Sequence, residues 1–390
     1  MKNYTTVMQQ VLGFLPNQVF KKIIGQHQSD KHIRSFSTKN QLSVMFYAQA
    51  TGKESLRDIE ISLKTNQNKW HDLGLVSVAK STIADAGNRR TPQIFESLFY
   101  ALLEECQKHI PNRKFDFGKT LYSLDGSLIT VCLSLFNWAR YRKRKGACRM
   151  HTLLDNTKGI PAFMCITDGK ESELSVAREN WKSWKLPPES IITFDRGYID
   201  YSWMYDLHKE NITFITRAKK SMQYAVIESL PVTEKNVIKD QIIEFVLDDA
   251  EKSYPEKLRL VTFWNEENKK TYYFLTNNFE LSATQIADAY KHRWEIEVFF
   301  KWIKQHLKIK SFFGTSPNAV MSQIWIAMIY FLILAYIKAQ AKLKVSLLDI
   351  SRIFSEMFLE KISIIHLFSH TASSIRGVKK ARGTPQLNLF

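Results

Sequence analysis

The sequence predicts an α/β fold, a mixed β-sheet with helices packed on it, following a helical N-terminal region. Three observations carry this. Residues 1–112 show helical apolar spacing and no clear strand alternation. From residue 116 three strand-like runs follow one another, at 120–133, 149–155 and 161–167. Helix and strand then alternate: a helix near 172–181, the apolar strand Ile191–Phe194, a helix at 200–210 and a strand at 212–216. Three successive strands followed by such alternation are expected of a sheet that is part antiparallel, part parallel.

Within the N-terminal region, 39–64 contains two apolar-periodic stretches broken at Thr51-Gly52, a helix–turn–helix-like outline with Lys and Arg beside the break. Such outlines serve DNA binding and also occur in ordinary bundles. Another helix is expected at 91–109. The element order from 113 onward is that of a ribonuclease-H-like core, expected to run to about 340. The stretch at about 217–280 interrupts it: QIIEFVLDD, LRLVTFW and TYYFLTNN are strand-like and separated by charged turns, which reads as a β-strand insertion. A long helical region follows from 282 to about 340, broken near 314–317, and 341–390 reads as a C-terminal helical segment with a basic tail. The sequence contains no internal repeat.

Lys and Arg outnumber Asp and Glu 55 to 38 over 390 residues, for a net charge of +17. Such a surplus favours a polyanionic partner, because each cation set on a phosphate releases a condensed counterion. Charge alone fits a merely basic surface equally well. Cys106, Cys132, Cys148 and Cys165 form no C-x-x-C pair and sit among apolar or basic neighbours, as reduced, intracellular thiols do. The apolar run 324–337, IWIAMIYFLILAYI, falls short of the roughly 20 residues a bilayer requires and is expected to be a buried core helix. No signal-peptide pattern opens the chain, so a cytoplasmic protein without a membrane span is expected.

Two aspartates stand at or beside strands, Asp125 in YSLDGS and Asp195 in ITFDRGY. Alone, each is also explained as a turn-former. The segment 290–304, YKHRWEIEVFFKWIK, adds a third acid. At about 100° per residue, Tyr290, Arg293, Glu297 and Lys304 fall within roughly 60° of one helical face, opposite Ile296, Phe299, Phe300, Ile303 and Leu307. The stripe is then free to face a cleft, or is a solvated face with Arg293–Glu297 as an i,i+4 ion pair. The combination suits phosphodiester chemistry. In-line displacement needs charge neutralised on attacking and leaving oxygens, which two divalent ions held by carboxylates from separate elements provide. Mg²⁺ prefers hard oxygen ligands and keeps several waters, so three acids suffice. An Arg and a Lys beside the third acid would grip flanking phosphates.

The Tyr-x2-Arg-x3-Glu-x6-Lys spacing at Tyr290, Arg293, Glu297 and Lys304, preceded by DRGY and LDGS, resembles the DDE transposases of bacterial insertion sequences, of the family-four type. KGACRMH, FFGTSPNAVMSQIWIA and an N-terminal segment at about 4–75 extend the resemblance over most of the chain. It implies a metal-binding triad of Asp125, Asp195 and Glu297, two Mg²⁺ ions with Mn²⁺ able to take their place, and DNA contacts from Tyr290, Arg293 and Lys304. It implies cut-and-paste excision and strand transfer: water cleaves the element's end, and the freed 3′-hydroxyl attacks the opposite strand to form a hairpin, then later the target. Partners would be double-stranded DNA, as terminal inverted repeats and target, and a second copy in a synaptic homodimer. In such transposases an insertion-domain Trp can stack on a flipped base. Trp264 is the candidate, with a buried core Trp as the alternative. Arg196 is placed to meet a phosphate or to pair with a carboxylate. The run RYRKRK, with Arg140, Arg142, Lys143, Arg144 and Lys145, offers a phosphate-gripping surface. His151 is expected to be structural.

Competing motifs fail. FGKT at 117–120 lacks the first Gly of a phosphate loop, and neither H-E-x-x-H nor G-x-S-x-G occurs. The C-terminal Gln386, Leu387, Leu389 and Phe390 resemble the short peptide by which bacterial replication proteins bind the sliding clamp. Two other classes share these residues: a metal-dependent nuclease without strand transfer, and a non-catalytic DNA-binding protein derived from a transposase.

Overall fold

The computed structural model describes residues 5–70, 78–131, 138–142 and 145–368. They fall into two compact units: Met1–Pro111 with Ile129–Gly146 and Lys301–Phe390, and Asn112–Leu128 with Ala147–Phe300. Both units are discontinuous in sequence, because the apolar run near 330 is a core helix for the N-terminal region.

In the first unit the helices are α1 (Val7–Leu12), α2 (Asn17–Gln26), α3 (Thr38–Ala50), α4 (Leu56–Thr65), α5 (Gln67–Trp70), α6 (Lys80–Arg89) and α7 (Gln93–His109). Thr6 and Gln9 close a capping box on α1. The break between α3 and α4 falls where the sequence places it, and Gly52 takes φ +66° there, a conformation a side chain would strain. The helix Pro317–Gln340 (α13 in chain order) is capped by Ser316 and started by Pro317. From Ile324 to Leu334 no residue is more than 3% exposed. Helices α3, α6 and α7 pack on it, as does Leu347–Met357 (α14). Phe99 meets Trp325 at 5.1 Å and Phe46 meets Tyr330 edge-on at 5.2 Å. The start of α1 joins the segment after α14 through backbone bonds from Val7 to Glu360 and from Met8 to Phe358. An all-round apolar helix must be enclosed on all sides, and helices from both ends of the sequence do so.

The second unit is built on a sheet. Its strands are β1 (Leu121–Val131), β3 (Lys145–Asp155), β4 (Ile160–Asp168), β5 (Ile191–Phe194), β6 (Thr213–Arg217), β7 (Tyr224–Ser229), β8 (Val237–Phe245), β9 (Leu258–Asn265) and β10 (Lys270–Thr276). Short β2 (Arg140–Arg142) pairs with the first residues of β3. The order is β3-β1-β5-β6-β10-β9-β8-β7, with β4 on β3. Strands β1, β5 and β6 run parallel, while β6 to β7 continue as antiparallel pairs. The expected α/β class is therefore present, and the β insertion extends the same sheet. Two details differ from expectation. The strand expected through VLDD stops at Phe245, and Asp248–Ser253 form a helix, α10. Strand β7 lies at the sheet's edge with most of its side chains exposed, so it lacks an apolar face to mark it.

Period-two alternation divides the sheet's faces. Tyr122, Leu124, Ile192, Phe194 and Phe214 pack with Ala177 of α8 (Glu173–Asn180) and Trp203 of α9 (Tyr201–Lys209). Leu121, Ile191 and Ile215 pack on the other face with Ile286 and Tyr290 of α11 (Ala283–Lys291).

One buried ion pair ties the insertion together: the Arg259 Nε and Nη2 donate to Asp240 at 2.8 and 2.7 Å, with both side chains at most 7% exposed. Arg259 also donates to the Leu281 carbonyl. Removing one partner strands a buried charge. Asp240→Ala should cost about 3–5 kcal/mol in urea denaturation of the full chain; a loss under about 1 kcal/mol would contradict this role.

Candidate active site

Strands β1 and β5 pair parallel with Leu124 opposite Phe194. The next residues are Asp125 and Asp195, so the two aspartates stand side by side on neighbouring backbones, which lie about 4.8 Å apart in a sheet. Alternation places both on the face that carries Leu121, Ile191 and α11. Asp125 sits inside β1, which continues to Val131, so it is not a turn residue. Asp195 follows the last residue of β5, at the carboxyl end of a parallel strand where α/β sheets place ligands. Its Oδ1 accepts from the Gly197 N–H at 2.7 Å, so it also caps a short turn.

Glu297 lies on α12 (Trp294–His306). The single helical stripe expected over 290–304 is corrected here: α11 ends at Lys291 and α12 begins at Trp294, with a turn at His292 and Arg293. The cause is remote in sequence. Asn156 Nδ2 donates to the His292 carbonyl at 3.0 Å, while His292 packs on the Phe115 ring and bonds Glu295. That carbonyl also accepts from the Glu295 N–H at 3.0 Å, and the Arg293 and Ile296 N–H groups bond Tyr290 and Arg293, so three successive backbone bonds at the turn span three residues rather than four. The apolar side behaves as expected, with Ile296, Phe299, Phe300, Ile303 and Leu307 all buried.

Arg293 joins the acids. Its Nη2 donates to Glu297 at 2.6 Å and its Nη1 lies 3.6 Å from Asp125. The i,i+4 ion pair is therefore present, and one guanidinium spans two of the three candidate acids. Tyr290 is largely buried at the wall of a pocket of about 660 Å³ that Arg217 and Arg293 also line, its ring 5.8 Å from both guanidinium carbons. Lys304, seven residues beyond Glu297 in α12, is half-buried.

Burial pushes the Asp125 carboxyl up to about 6; the Gly126 N–H and Arg293 pull it down, and Glu173 and Asp195 push it further up. Hard oxygen donors on adjacent strands, one of them reluctant to hold its charge, fit a divalent cation. Among the described residues, no three His, Cys, Asp or Glu side chains are close enough to hold an ion. Arg293 fills the gap between Asp125 and Glu297, so Glu297 has to leave Arg293 before it can serve as a ligand.

The remaining expected residues fall in distinct places. Trp264 is not a core residue: it is 37% exposed and lines a groove of about 870 Å³ in the second unit. Arg196 lines the same groove and forms no ion pair among the described residues. Arg217, Lys219, Lys220, Lys269 and Lys270 line it too, together with Tyr224, Tyr272 and Tyr273. Sequence reading missed these lysines because they lie on two separate turns joined only by the β6–β10 and β9–β10 pairing. His151 is structural as expected, buried on β3 and bonded to Thr167 Oγ1 at 2.9 Å. Arg140 and Arg142 lie on β2 and Lys145 opens β3. Lys143, Arg144 and the peptide Gln386, Leu387, Leu389 and Phe390 lie outside the described residues.

Residues 116–332 match the family described as "Transposase DDE domain", and 3–76 match a domain of unknown function, DUF4372. A protein of Sinorhizobium fredii named as a transposase is 30% identical over 66% of this chain and 71% of its own length. A protein of Geobacillus stearothermophilus, named as a transposase for an insertion sequence element, is 25% identical over 69% of this chain and 70% of its own. The solved synaptic complex of piggyBac transposase with hairpin DNA superposes with a TM-score of 0.47 at 11% identity, over 99% of this chain and 84% of that one. With more than half of its length matched, the chain belongs to the DDE transposase family, DNA-cleaving and strand-transferring enzymes with a ribonuclease-H-like fold and a requirement for divalent metal ions.

Proposed function

We propose that this transposase excises and inserts its own element by cut and paste, with Asp125, Asp195 and Glu297 as the ligands of two Mg²⁺ ions. The observation that carries the reading is the placement of Asp125 beside Asp195, with Arg293 linking Asp125 to Glu297. Bound there, the ions supply charge neutralisation at the attacking and leaving oxygens of the phosphodiester. The protein's own groups do the rest. Arg293 holds the acids apart until DNA and metal arrive, then turns its guanidinium to a phosphate, where a bidentate fork is strongest. Tyr290, packed between Arg217 and Arg293, keeps both cations at the site's edge. The basic, aromatic groove takes the DNA beside the cleaved end, its lysines on phosphates and Trp264 on an unpaired base. The substrates are inverted-repeat ends and target DNA, held by a homodimer, with hairpin formation between cleavage and insertion. Residues 1–112 act in DNA binding, 113–340 carry the catalytic residues although their last helices pack with the N-terminal ones, and the C-terminal peptide 386–390 engages the sliding clamp.

Three measurements test this reading. Glu297→Gln should abolish Mg²⁺-dependent cleavage of element ends while leaving end binding within about threefold; retained cleavage refutes the assignment. With pre-cleaved ends, joining to target should need the same residue, whereas a nuclease would cleave and never join.

Asp125 makes a prediction about stability. Its carboxyl pKa rises on folding, so its contribution is fully present below pH 3.8 and gone above about 6. At neutral pH without divalent ions, Asp125→Asn should therefore raise stability, by up to about 3 kcal/mol, though inactive. Mg²⁺ should raise the melting temperature of the natural chain and not of the variant. A variant less stable than the natural chain would contradict this electrostatic account.

Trp264→Ala should slow end cleavage by about tenfold or more, as loss of one stacked base does, with only a small loss of thermal stability, since the residue is 37% exposed and outside the core clusters. Unchanged cleavage would remove Trp264 from the DNA path.

A further inference from the structure

The acidic character of this site does not end with the three predicted residues. Gly126 follows Asp125 in β1 and faces the opposite side of the sheet by alternation. A Cβ placed on it would meet Glu173 Oε1 at 2.8 Å and Glu173 Cδ and Cγ at 2.9 Å, so the first residue of α8 closes directly onto the backbone beside Asp125. A glycine inside a strand marks such a close approach. Glu173 is half-buried, and its Oε1 accepts from Arg149 Nη1 at 2.8 Å. Its charge and those of Asp125 and Asp195 act on one another.

A second observation points to the same spot. Tyr198 is 1% exposed, its backbone N–H bonds the Asp195 carbonyl, and its hydroxyl has no hydrogen-bond partner among the described residues. The charged groups acting most on that hydroxyl are Glu173, Asp125 and Asp195, in that order. A buried hydroxyl left unpaired is disfavoured and calls for a partner such as an ordered water or an ion's hydration shell. Glu173 and the unpaired Tyr198 hydroxyl thus lie within electrostatic reach of Asp125 and Asp195, without forming a three-carboxylate cluster with them.

We propose that Glu173 is a fourth carboxylate of the catalytic centre, a positioning residue whose charge strengthens divalent-cation binding at Asp125 and Asp195. The proposal rests on the assignment of those two aspartates as metal ligands. Arg149 competes with the cation for Glu173, and so opposes binding.

The test is titration calorimetry of Mn²⁺ alone into the full-length protein and four variants: Glu173→Gln, Glu173→Asp, Arg149→Gln and Asp125→Asn, with thermal melting of each. The expected result is Mn²⁺ binding about tenfold weaker in Glu173→Gln, the size of a nearby charge acting through a partly screened medium. Glu173→Asp should bind more tightly than Glu173→Gln, and Arg149→Gln as tightly as the natural chain or more so. If Glu173 is only the structural partner of Arg149, Glu173→Gln and Arg149→Gln will lose thermal stability alike and change Mn²⁺ affinity alike, which overturns the proposal. If Glu173→Gln binds normally while Asp125→Asn does not, this proposal fails and the triad stands. If Asp125→Asn also binds normally, the triad assignment fails first.

Discussion

The parallel pairing of β1 with β5 is the constraint on which the rest of the site depends. It sets Leu124 opposite Phe194 and thereby brings two aspartates, seventy residues apart in sequence, to adjacent positions on one face. A slip of one residue would turn either acid to the other face, among Tyr122, Phe194 and Trp203. The apolar residues on both faces prevent that slip: Leu124 and Phe194 are buried under α8 and α9, while Leu121 and Ile191 are buried under α11. The register that buries the core is the register that builds the site.

That arrangement has an electrostatic cost, and Arg293 offsets part of it. Placing Asp125 beside Asp195 with Glu173 nearby raises the Asp125 pKa, burial being the largest cause. Arg293 answers from the turn between α11 and α12, reaching Asp125 and Glu297 at once. The turn exists because Asn156 takes the His292 carbonyl, and Asn156 is itself fixed by Ser123, two residues before Asp125 on β1. Strand, turn and guanidinium therefore form one connected network. A guanidinium in this position can give way to metal ions on one side and a phosphate on the other, exchanging one charge-assisted contact for another.

How much of this was legible in the sequence depended on how local each signal was. The strands other than β2 and β7, together with α8, α9 and the break at Gly52, follow from apolar spacing and turn residues within each segment. Core burial of the 324–337 run was expected because the run is short, yet its helix spans Pro317–Gln340, long and apolar enough to cross a membrane, and what makes it core is the helices packed around it. Helical phase correctly set Glu297 and Arg293 within reach of each other and opposite Ile296 and Phe300. It failed at His292, because the Asn156 side chain that interrupts the helix lies 136 residues earlier. Glu173 stands at the first residue of α8, a position that favours Glu in any helix, so nothing local singles it out. Its one clue was the glycine in LDGS, placed where a strand continues. The basic groove was invisible as a unit, since its lysines come from two turns that only the sheet unites.

The most direct test of the central claim is the position of the metal itself. In crystals of the protein with Mn²⁺ and pre-cleaved element-end DNA, anomalous scattering locates the ions independently of any assumed ligand. The account predicts a peak within about 2.3 Å of carboxylate oxygens of both Asp125 and Asp195, with Glu297 turned away from Arg293 toward an ion. Mn²⁺ bound elsewhere, with the Asp125–Arg293–Glu297 contacts intact beside the DNA, would contradict it.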